Sequence, residues 1–415
     1  METLKYFMIS THFPPNHLGG DAVFVEYLSR ELGKRGQEVH VLHDPDVFHI
    51  LRHKRDHNGK PPDDTIVRHT IYSGTSTLGL VRRLCLGTPA KVLARLQSTF
   101  RDVGPDVVHW HNTKGFFGAP ADLPAAVTLY TAHDYYSVCP RSNLLRPNGS
   151  ICGEPKMCLL CNLRWKKPPQ LWRFGGRRVL RFPKRLQVLS PSNYVASRLR
   201  EERVANIHTL RNFVPDPGPW NAMEQQDNEA IIYLGMMERH KGPETLLNSF
   251  YRTRKDHGFV LNMVGDGPLK DRLARQIRTL KLNRRVRMHG FLSRSDLNTL
   301  RRTAIAQIVP SEWPENAPLT ALEALSLGTP ILSSDYGGLP EIAAPDSGCT
   351  VFKGEDQYSL DRSLVDLWNR RDDLSEARKL ARKAFEEKYS PEVHLKSYLE
   401  IVKGDRRQDP SSRIT

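Results

Sequence analysis

Residues 308–341, IVPSEWPENAPLTALEALSLGTPILSSDYGGLPE, contain the pattern that decides the fold. An apolar run ends at Val309, and the loop that follows carries two prolines, which a central strand would not accept. After Pro318, whose missing N–H suits a first helical turn, leucines recur at helical spacing. Gly328 ends the helix, a proline soon after prevents its resumption, and residues 331–334 form the next strand. The stretch therefore predicts a strand–loop–helix–strand unit.

Two carboxylates in this unit, Glu315 and Glu323, are separated by seven residues. Glu315 lies in the loop before the helix, and Glu323 lies about a turn and a half inside it. In an open α/β sheet such a loop lies where ligands bind, and the free N–H groups of a helix N-terminus suit a phosphate. Carboxylates that contact hydroxyls beside a phosphate site would suit a nucleotide sugar. The simpler alternative is that both glutamates are ordinary solvated acids.

The segment PSEWPENAPLTALEALSLGTPIL, residues 310–332, resembles the signature of the retaining glycosyltransferases of family 4, which have the GT-B fold. The motif is long and specific, and the resemblance covers nearly the whole chain. It implies an α/β protein with two Rossmann-like domains facing each other across a cleft that holds the active site. It also implies that Glu315 is catalytic and faces the donor sugar, while Glu323 contacts the ribose. The resemblance places three further donor-binding residues in the motif: Asn316, Ala317 and Leu319.

Composition sets the broad class of the protein. The chain has 415 residues, 39% of them hydrophobic, and a formal net charge of +15. This length suits two domains of ordinary size. No run of about 18 apolar residues predicts a membrane span, and the first ten residues do not resemble a signal peptide. We therefore expect a cytoplasmic protein with an anionic partner: a membrane surface, a nucleic acid or a phosphorylated substrate.

The chain opens with a βαβ pattern around Gly19 and Gly20. Residues 6–10 form an apolar strand, an irregular loop follows, and Asp21 caps the next helix. The glycine pair lets the backbone approach a ligand closely, although such a pair is usually only a turn. It lacks the G-x-G-x-x-G spacing of a dinucleotide site, which argues against NAD. By resemblance, Gly19 and Gly20 belong to the family's glycine loop over the donor diphosphate and the acceptor.

Histidines stand at the ends of two predicted strands, residues 106–111 and 126–131. A lone histidine is more often structural than catalytic. His133, which follows a β-branched strand and precedes an aspartate, matches a family motif whose histidine contacts the donor sugar near the reacting centre. The resemblance therefore makes His133 a catalytic candidate, ahead of His111 and then His109.

Four cysteines follow with the spacing C-x12-C-x5-C-x2-C: Cys139, Cys152, Cys158 and Cys161. In a cytoplasmic protein we expect reduced thiols or metal ligands rather than disulfides. The last pair has the spacing of half a zinc site, and four thiolates would close a tetrahedral structural site. The spacing leaves two interpretations open, a structural zinc site and free thiols.

A basic and aromatic segment, residues 163–186, contains no acidic residue. Its lysines and arginines are interleaved with Trp165, Trp172 and two phenylalanines. This composition suits an anionic membrane surface, with the tryptophans at the level of the headgroups. It equally suits single-stranded nucleic acid, and a solvated basic face with inward aromatics is the third possibility. We expect peripheral attachment at the inner face of the membrane.

Breaks in the pattern predict the domain organisation. Residues 44–64 carry little pattern and are predicted to form a long surface loop. The acceptor domain spans residues 1–214, and the nucleotide-sugar donor domain spans residues 215–388. An amphipathic helix over residues 389–403 packs back on the first domain in the family, and residues 404–415 form a disordered tail.

In the second domain, the loop after the first strand carries Arg239 and Lys241. A lysine at a strand-to-helix turn suits a diphosphate as a point charge. The family usually has an arginine directly after the strand's glycine, but this chain has Met236. That departure removes one phosphate cation, for which Arg239 is the possible substitute. By resemblance, Phe291 and Leu292 frame the nucleotide base through backbone groups.

These features predict transfer of a sugar from a nucleotide-sugar donor to a hydroxyl acceptor, with retention at the anomeric carbon. No catalytic metal is expected, because basic groups and helix dipoles hold the leaving diphosphate. The expected acceptor is a lipid-linked or polysaccharide intermediate of cell-surface glycan assembly, and no nucleic acid is expected. Two alternatives stay open: a nucleotide-sugar epimerase of the same fold, and a basic nucleic-acid-binding protein that would leave the glutamates unexplained.

Overall fold

The chain forms two compact units, residues 1–211 with 395–415 and residues 212–394. The sequence predicts a boundary three residues later than this division. The computed structural model describes the following residues: 2–16, 19–52, 65–71, 74, 76–112, 116, 123–153, 158–173, 185–221 and 229–408.

The first unit is built on a parallel sheet of seven strands within its described residues. The strands are β1 (Lys5–Ser10), β2 (Glu38–His43), β3 (Ile66–Thr70), β4 (Val107–Asn112), β5 (Val127–Thr131), β6 (Gln187–Ser190) and β7 (Ile207–Thr209). Their order is β3-β2-β1-β4-β5-β6-β7. Tyr6 to Ile9 are fully buried on both faces, as helices on both sides of a parallel sheet require.

Helices connect these strands. They are α1 (Gly20–Lys34), α2 (Pro45–Arg52), α3 (Thr77–Leu86), α4 (Ala90–Val103), α5 (Cys158–Arg164) and α6 (Asn193–Glu201). Short 3₁₀ turns lie at Tyr135–Ser137 and Leu171–Arg173. Side-chain caps fix the first residues of α3 and α6. The Ser76 hydroxyl accepts a hydrogen bond from the Gly79 N–H, and the Ser192 hydroxyl accepts one from the Val195 N–H.

The second unit repeats this plan with six parallel strands in the order β10-β9-β8-β11-β12-β13. The strands are β8 (Ala230–Leu234), β9 (Val260–Val264), β10 (Val286–Gly290), β11 (Ala306–Val309), β12 (Ile331–Ser334) and β13 (Thr350–Phe352). The helices are α7 (Pro243–Arg252), α8 (Lys270–Thr279), α9 (Arg294–Thr303), α10 (Leu319–Ser326), α11 (Leu339–Ile342), α12 (Ser359–Asn369) and α13 (Ser375–Lys388). Helix α14 (Pro391–Gln408) begins in this unit, and its residues from Leu395 onward belong to the first unit. Apolar residues of these strands and helices form one core, around Phe250, Phe259 and Leu364.

Strand order fixes where each unit can bind a ligand. In both sheets the first strand of the unit, β1 or β8, lies inside the sheet. The chain adds the next two strands on one side of it and then the remaining strands on the other side. These changes of side, the switch points, lie between β1 and β4 and between β8 and β11. Loops at the carboxyl ends of such strands diverge and leave a crevice. The predicted α/β fold with two Rossmann-like halves is therefore confirmed.

Two predicted irregular stretches differ from the structure. Residues 45–52 form α2 rather than a loop, because Val47 and Phe48 bury their side chains against the unit. Residues 53–64 lie outside the described residues. Helix α14 runs through residues 404–408, predicted as disordered, and Arg406 pairs with Glu2 at 2.7 Å. Residues 409–415 of the predicted tail lie outside the described residues.

Candidate active site

The switch point of the second unit brings together the loops that follow β8 and β11. Lys241 lies at the end of a 3₁₀ turn after β8, and Glu315 lies in the loop between β11 and α10. The Lys241 Nζ atom donates to Glu315 Oε1 at 2.7 Å, and the Ser311 hydroxyl donates to the same oxygen at 2.7 Å. The Lys241 ammonium also lies 4.9 Å from the centroid of the Trp313 ring. Two residues that are 74 positions apart thus form one charged centre.

Two glycines allow these loops to approach so closely. Gly337 has φ +69°, and a Cβ atom there would collide with the backbone of Glu315. Gly242 has φ +69°, and a Cβ atom there would collide with the carbonyl oxygen of Pro310. The Gly338 N–H then donates to the Glu315 carbonyl at 2.7 Å. Only residues without a side chain fit both the backbone conformation and the space.

Glu315 is buried, with 5% of its surface exposed. Burial alone would raise the pKa of its carboxyl. The charge of Lys241 and hydrogen bonds from Lys241, Ser311 and Trp313 outweigh that effect and hold the pKa below its ordinary value. The carboxylate is therefore ionised across the physiological range.

This pKa shift predicts how acid affects the second unit. A carboxyl whose pKa is lower in the folded state stabilises the fold above the unfolded pKa of about 4.3. That contribution disappears as the pH falls through the lower, folded pKa. The free energy of unfolding of the native protein, measured in urea, should therefore fall from neutral pH towards about pH 3. In Glu315→Gln the free energy of unfolding should depend less on pH. Glu376→Gln, on the exposed face of α13, is the matched control. Parallel acid curves for the native protein and Glu315→Gln would contradict the assignment.

Glu323 lies inside α10 and meets a different cation. Its carboxylate accepts from Arg301 Nη2 at 2.8 Å, and its side chain keeps 22% of its surface exposed. Arg301 itself is 1% exposed and donates to the Gln307 side chain and the Thr320 carbonyl, each at 3.1 Å. The structure therefore holds the two predicted glutamates by separate partners.

Sequence reasoning missed Arg301. A signal was present, because Arg301 follows Leu297 by four residues and so falls on the apolar face of α9. A buried arginine on such a face needs a fixed acidic or carbonyl partner. Nothing in the local sequence says that this partner is Glu323.

The other predicted donor residues in this unit are distributed along the same edge of the sheet. Asn316 and Leu319 are buried, and the Ala317 carbonyl accepts from the Asn212 side chain at 3.3 Å. Pro318 is the N-cap of α10 rather than its first residue, so the helix begins at Leu319.

Residues that follow β8 and β10 expose more of their surface. Met236 is 47% exposed, and its carbonyl accepts from the Tyr233 hydroxyl at 2.8 Å. Arg239 is exposed and makes no ion pair with the described residues. Phe291 is 71% exposed just after β10, while Leu292 packs against a small cluster beneath it. An exposed aromatic side chain at the end of a strand is compatible with the predicted place of the nucleotide base.

The first unit gathers polar groups at its own switch point. Gly19 is the N-cap of α1 in extended backbone conformation, and Gly20 is the first helical residue. Asp21 is therefore not the predicted cap. It lies in the first turn, where its carboxylate accepts a hydrogen bond from the Asn112 side chain at the end of β4. This bond ties the glycine loop to the neighbouring strand across the switch point.

Three histidines lie side by side at this edge. The His111 Nδ1 and His133 Nε2 atoms are 3.0 Å apart, and His109 contacts the Thr131 hydroxyl at 2.8 Å and the Tyr398 hydroxyl at 3.1 Å. Burial lowers the pKa of His133, and the charges of Asp21 and Asp134 partly oppose that shift. His133 therefore favours the neutral imidazole, which can donate or accept a hydrogen bond. His111 is in hydrogen-bond contact with His133, whereas His109 contacts the buried Thr131 and Tyr398 side chains.

The predicted zinc site is not supported. Among the described residues, which include all four cysteines, no three histidine, cysteine or acidic side chains are placed to bind a metal ion. Cys158 and Cys161 lie one turn apart on α5, and Cys139 and Cys152 are in separate loops. Burial raises the pKa of the Cys161 thiol, and the neighbouring Cys139 and Cys152 add to that shift. Of the two interpretations left open by the spacing, the described residues do not support the zinc site.

The two tryptophans of the basic segment pack within the first unit. The Arg141 guanidinium lies 3.8 Å from the centroid of Trp165. Trp172 Nε1 donates to the Leu84 carbonyl at 3.0 Å. Both rings contact the first unit and stay partly exposed, so their position among lipid headgroups stays a prediction. Residues 174–184 of the segment lie outside the described residues.

Two parallel Rossmann-like sheets with charged switch points define a two-domain α/β protein. Residues 18–216 match the model for Glycosyltransferase Family 4, and residues 220–386 match the model for Glycosyl transferases group 1. Together these two matches span nearly the whole chain. The chain belongs to this glycosyltransferase family, which confirms the resemblance seen in the sequence.

Relatives and solved structures extend this result. The chain is 26% identical to a glycogen synthase of Mycobacterium tuberculosis, over 81% of this chain and 80% of the relative. Sucrose-phosphate synthase from Thermosynechococcus elongatus shares the fold with a TM-score of 0.70 at 16% identity, over 97% and 98% of the two chains. HepE from Anabaena, solved with UDP-glucose, has a TM-score of 0.61 at 12% identity, over 97% and 100%. In the described part of the chain, no helix is long and apolar enough to cross a bilayer.

Proposed function

We propose that the protein transfers a sugar from a nucleotide-sugar donor to a hydroxyl acceptor with retention at the anomeric carbon. The observation that carries the proposal is the Lys241–Glu315 centre at the switch point of the second unit. It combines a cation for a diphosphate with a carboxylate for sugar hydroxyls. The family gives the class of reaction, and HepE provides a fold relative solved with UDP-glucose.

The donor diphosphate would bind at Lys241 and at the backbone N–H groups that start α10. Lys241 is one-quarter exposed and sits at the end of a strand, so it can reach a ligand while it contacts Glu315. Positive charge at this point stabilises the diphosphate as it leaves the sugar. In this proposal the chemistry needs no metal ion.

Glu315 would position the donor sugar rather than attack it. Its Oε1 atom already accepts hydrogen bonds from Lys241 and Ser311, and the carboxylate is held ionised with a low pKa. A carboxylate with such strong hydrogen bonds is a weak nucleophile but a good acceptor for hydroxyl groups. Retention would then follow from a front-face reaction. The bond from the anomeric carbon to the diphosphate oxygen breaks, the acceptor oxygen bonds on the same face, and its proton passes to the diphosphate.

The first unit would bind the acceptor. Its glycine loop, tied to Asn112 through Asp21, forms a shaped polar edge, and His133 remains the predicted contact to the donor sugar. An acceptor from cell-surface glycan assembly, lipid-linked or polymeric, fits the net charge of +15. We propose that the protein acts on such an acceptor at the cytoplasmic face of a membrane.

Product analysis tests the proposal directly. The protein would be incubated with a panel of nucleotide sugars, with and without glycan and lipid-linked acceptors, and the products followed by mass spectrometry. The anomeric coupling constant of the product, measured by NMR, reports retention or inversion. Formation of a free sugar product without any acceptor would favour the epimerase alternative. A product with inverted configuration would contradict the proposed mechanism.

Glu323→Gln should weaken donor binding selectively. If Arg301 holds the carboxylate towards the ribose, loss of its charge removes a hydrogen bond to a charged group, which contributes about 1.5–3 kcal/mol. KM for the donor should rise by the corresponding factor, roughly tenfold to a hundredfold, and kcat should change less. The diagnostic measurement is a donor with 2′-deoxy or 3′-deoxy ribose, because the native enzyme should discriminate against it and Glu323→Gln should not. Equal discrimination by both proteins, with Glu376→Gln as control, would show that Glu323 does not contact the ribose.

A further inference from the structure

The first unit exposes leucines where a folded protein normally buries them. Seven of the thirteen exposed large apolar side chains in the described residues lie on α3, on α5 and in the 3₁₀ turn after α5. We call them the leucine surface: Leu78, Val81, Leu86, Leu159, Leu160, Leu163 and Leu171. Helix α3 contacts the 3₁₀ turn, since Trp172 Nε1 of the turn donates to the Leu84 carbonyl of α3, and α5 precedes this turn in the chain. Single exposed leucines need no explanation, but several on neighbouring elements mark a candidate interaction site.

Helix α3 is fixed with this face outward. Arg83 on its opposite face is buried and donates to Asp44 at 3.0 Å, at the carboxyl end of β2. Leu80 packs with Val47 and Tyr136 in a small core. Leu78 is 79% exposed and Leu86 is 58% exposed, on the side away from these contacts. The outward apolar stripe is therefore a consequence of how the helix is anchored.

The stretches of chain that carry the leucine surface are cationic. Residues 76–101 and residues 158–173 contain no aspartate or glutamate. Exposed cations flank the leucines on both stretches: Arg82, Lys91, Arg95, Arg164, Lys166 and Lys167. Apolar side chains beside cations suit the interface of an anionic lipid bilayer, where the leucines enter the acyl boundary and the cations meet the headgroups.

Two other occupants fit less well. A second copy of the chain would bring two cationic stretches together, and like charges oppose that contact. Single-stranded nucleic acid is held by aromatic rings that stack on bases. Here the exposed apolar groups are aliphatic, while Trp165 and Trp172 are engaged with Arg141 and Leu84.

The leucine surface lies close to the candidate chemistry of its own unit. Tyr136, which packs beneath α3, follows His133 by three residues. Arg173, in the turn that carries Leu171, donates to the Tyr136 carbonyl at 2.6 Å. A molecule seated on the leucine surface is thus near the carboxyl end of β5.

We infer that the leucine surface docks the first unit on an anionic lipid bilayer. The inference rests on the proposed function only for the identity of the acceptor, which would then be carried in the same bilayer. The structure assigns the contact to aliphatic residues of α3 and α5. This contact differs from the one predicted from the sequence, which placed the tryptophans Trp165 and Trp172 at the headgroups.

Vesicle sedimentation tests this inference without donor or acceptor, so its failure is separate from failure of the proposed reaction. The full chain would be mixed with vesicles of phosphatidylcholine alone or with added phosphatidylglycerol. We expect salt-sensitive binding to the anionic vesicles only. The variant Leu78→Gln, Leu86→Gln, Leu160→Gln, Leu163→Gln should bind at least about tenfold more weakly, since its apolar anchor is removed. Arg82→Gln, Lys166→Gln, Lys167→Gln should bind more weakly and with less sensitivity to salt.

Matched controls make the result specific. Val67→Gln and Val351→Gln change exposed valines outside the leucine surface and should leave vesicle binding unchanged. Circular dichroism and thermal unfolding would show that each variant is folded. The inference is overturned if the leucine variant sediments like the native chain. It is also overturned if the native chain ignores anionic vesicles, binds single-stranded RNA instead, or forms a dimer that the leucine variant dissociates.

Discussion

Replacing Glu315 by glutamine is expected to lower kcat about a hundredfold to a thousandfold, the usual effect of removing one group that stabilises a transition state. Glutamine keeps the shape of the side chain and can still accept from Ser311. Glutamine lacks the negative charge that pairs with Lys241 at 2.7 Å. It is also a weaker acceptor than a carboxylate for hydrogen bonds from sugar hydroxyls. The expected loss is therefore in the chemical step.

Binding of nucleoside diphosphate separates this effect from damage to the fold. A carboxylate beside the diphosphate repels it, and in Glu315→Gln that repulsion is gone while Lys241 is no longer shared. Titration calorimetry should therefore show equal or tighter diphosphate binding in a variant with reduced turnover. Glu376→Gln on α13 serves as the matched control. If turnover stays near the native value, or diphosphate binding weakens along with it, Glu315 does not have the proposed role.

Lys241→Met is expected to have an effect of similar size, but on donor binding as well as turnover. The methionine keeps part of the aliphatic length and removes the charge that would neutralise the leaving diphosphate. We expect kcat/KM to fall about a hundredfold to a thousandfold, with weaker diphosphate binding and a smaller dependence of that binding on salt. Lys383→Met, an exposed lysine on α13, changes the net charge equally and should have no such effect.

Stability provides a second test of the same pair. Lys241→Met leaves the buried Glu315 carboxylate without its cation, which should cost about 3 kcal/mol in the free energy of unfolding. The double variant Lys241→Met, Glu315→Gln removes that unpaired charge, so it should regain stability but not activity. A double variant that regains activity would show that the pair is structural. One that stays as unstable as Lys241→Met would show that the charge is not the cause of the loss.

The sequence by itself was enough for the architecture. Each unit alternates apolar strands with helices, and this period is a local property of the chain. The stretch from residue 308 to residue 341 also carries a long motif, and its resemblance to a family signature indicated the family and made Glu315 and Glu323 candidates. The strand order came from the structure, because alternation of strands and helices does not say which strands are neighbours.

Only the tertiary structure decided which side chains meet. Glu315 pairs with Lys241 and Glu323 with Arg301, across 74 and 22 positions of the chain, and no local pattern specifies such partners. The cysteine spacing predicted a zinc site, but spacing does not say where separate loops will lie. Trp172 donates to the Leu84 carbonyl, and the bond from Arg83 to Asp44 holds α3 with its exposed leucines on the other side. Periodicity determines elements within a few residues, whereas contacts between distant residues depend on how those elements pack, which the linear order of residues does not contain.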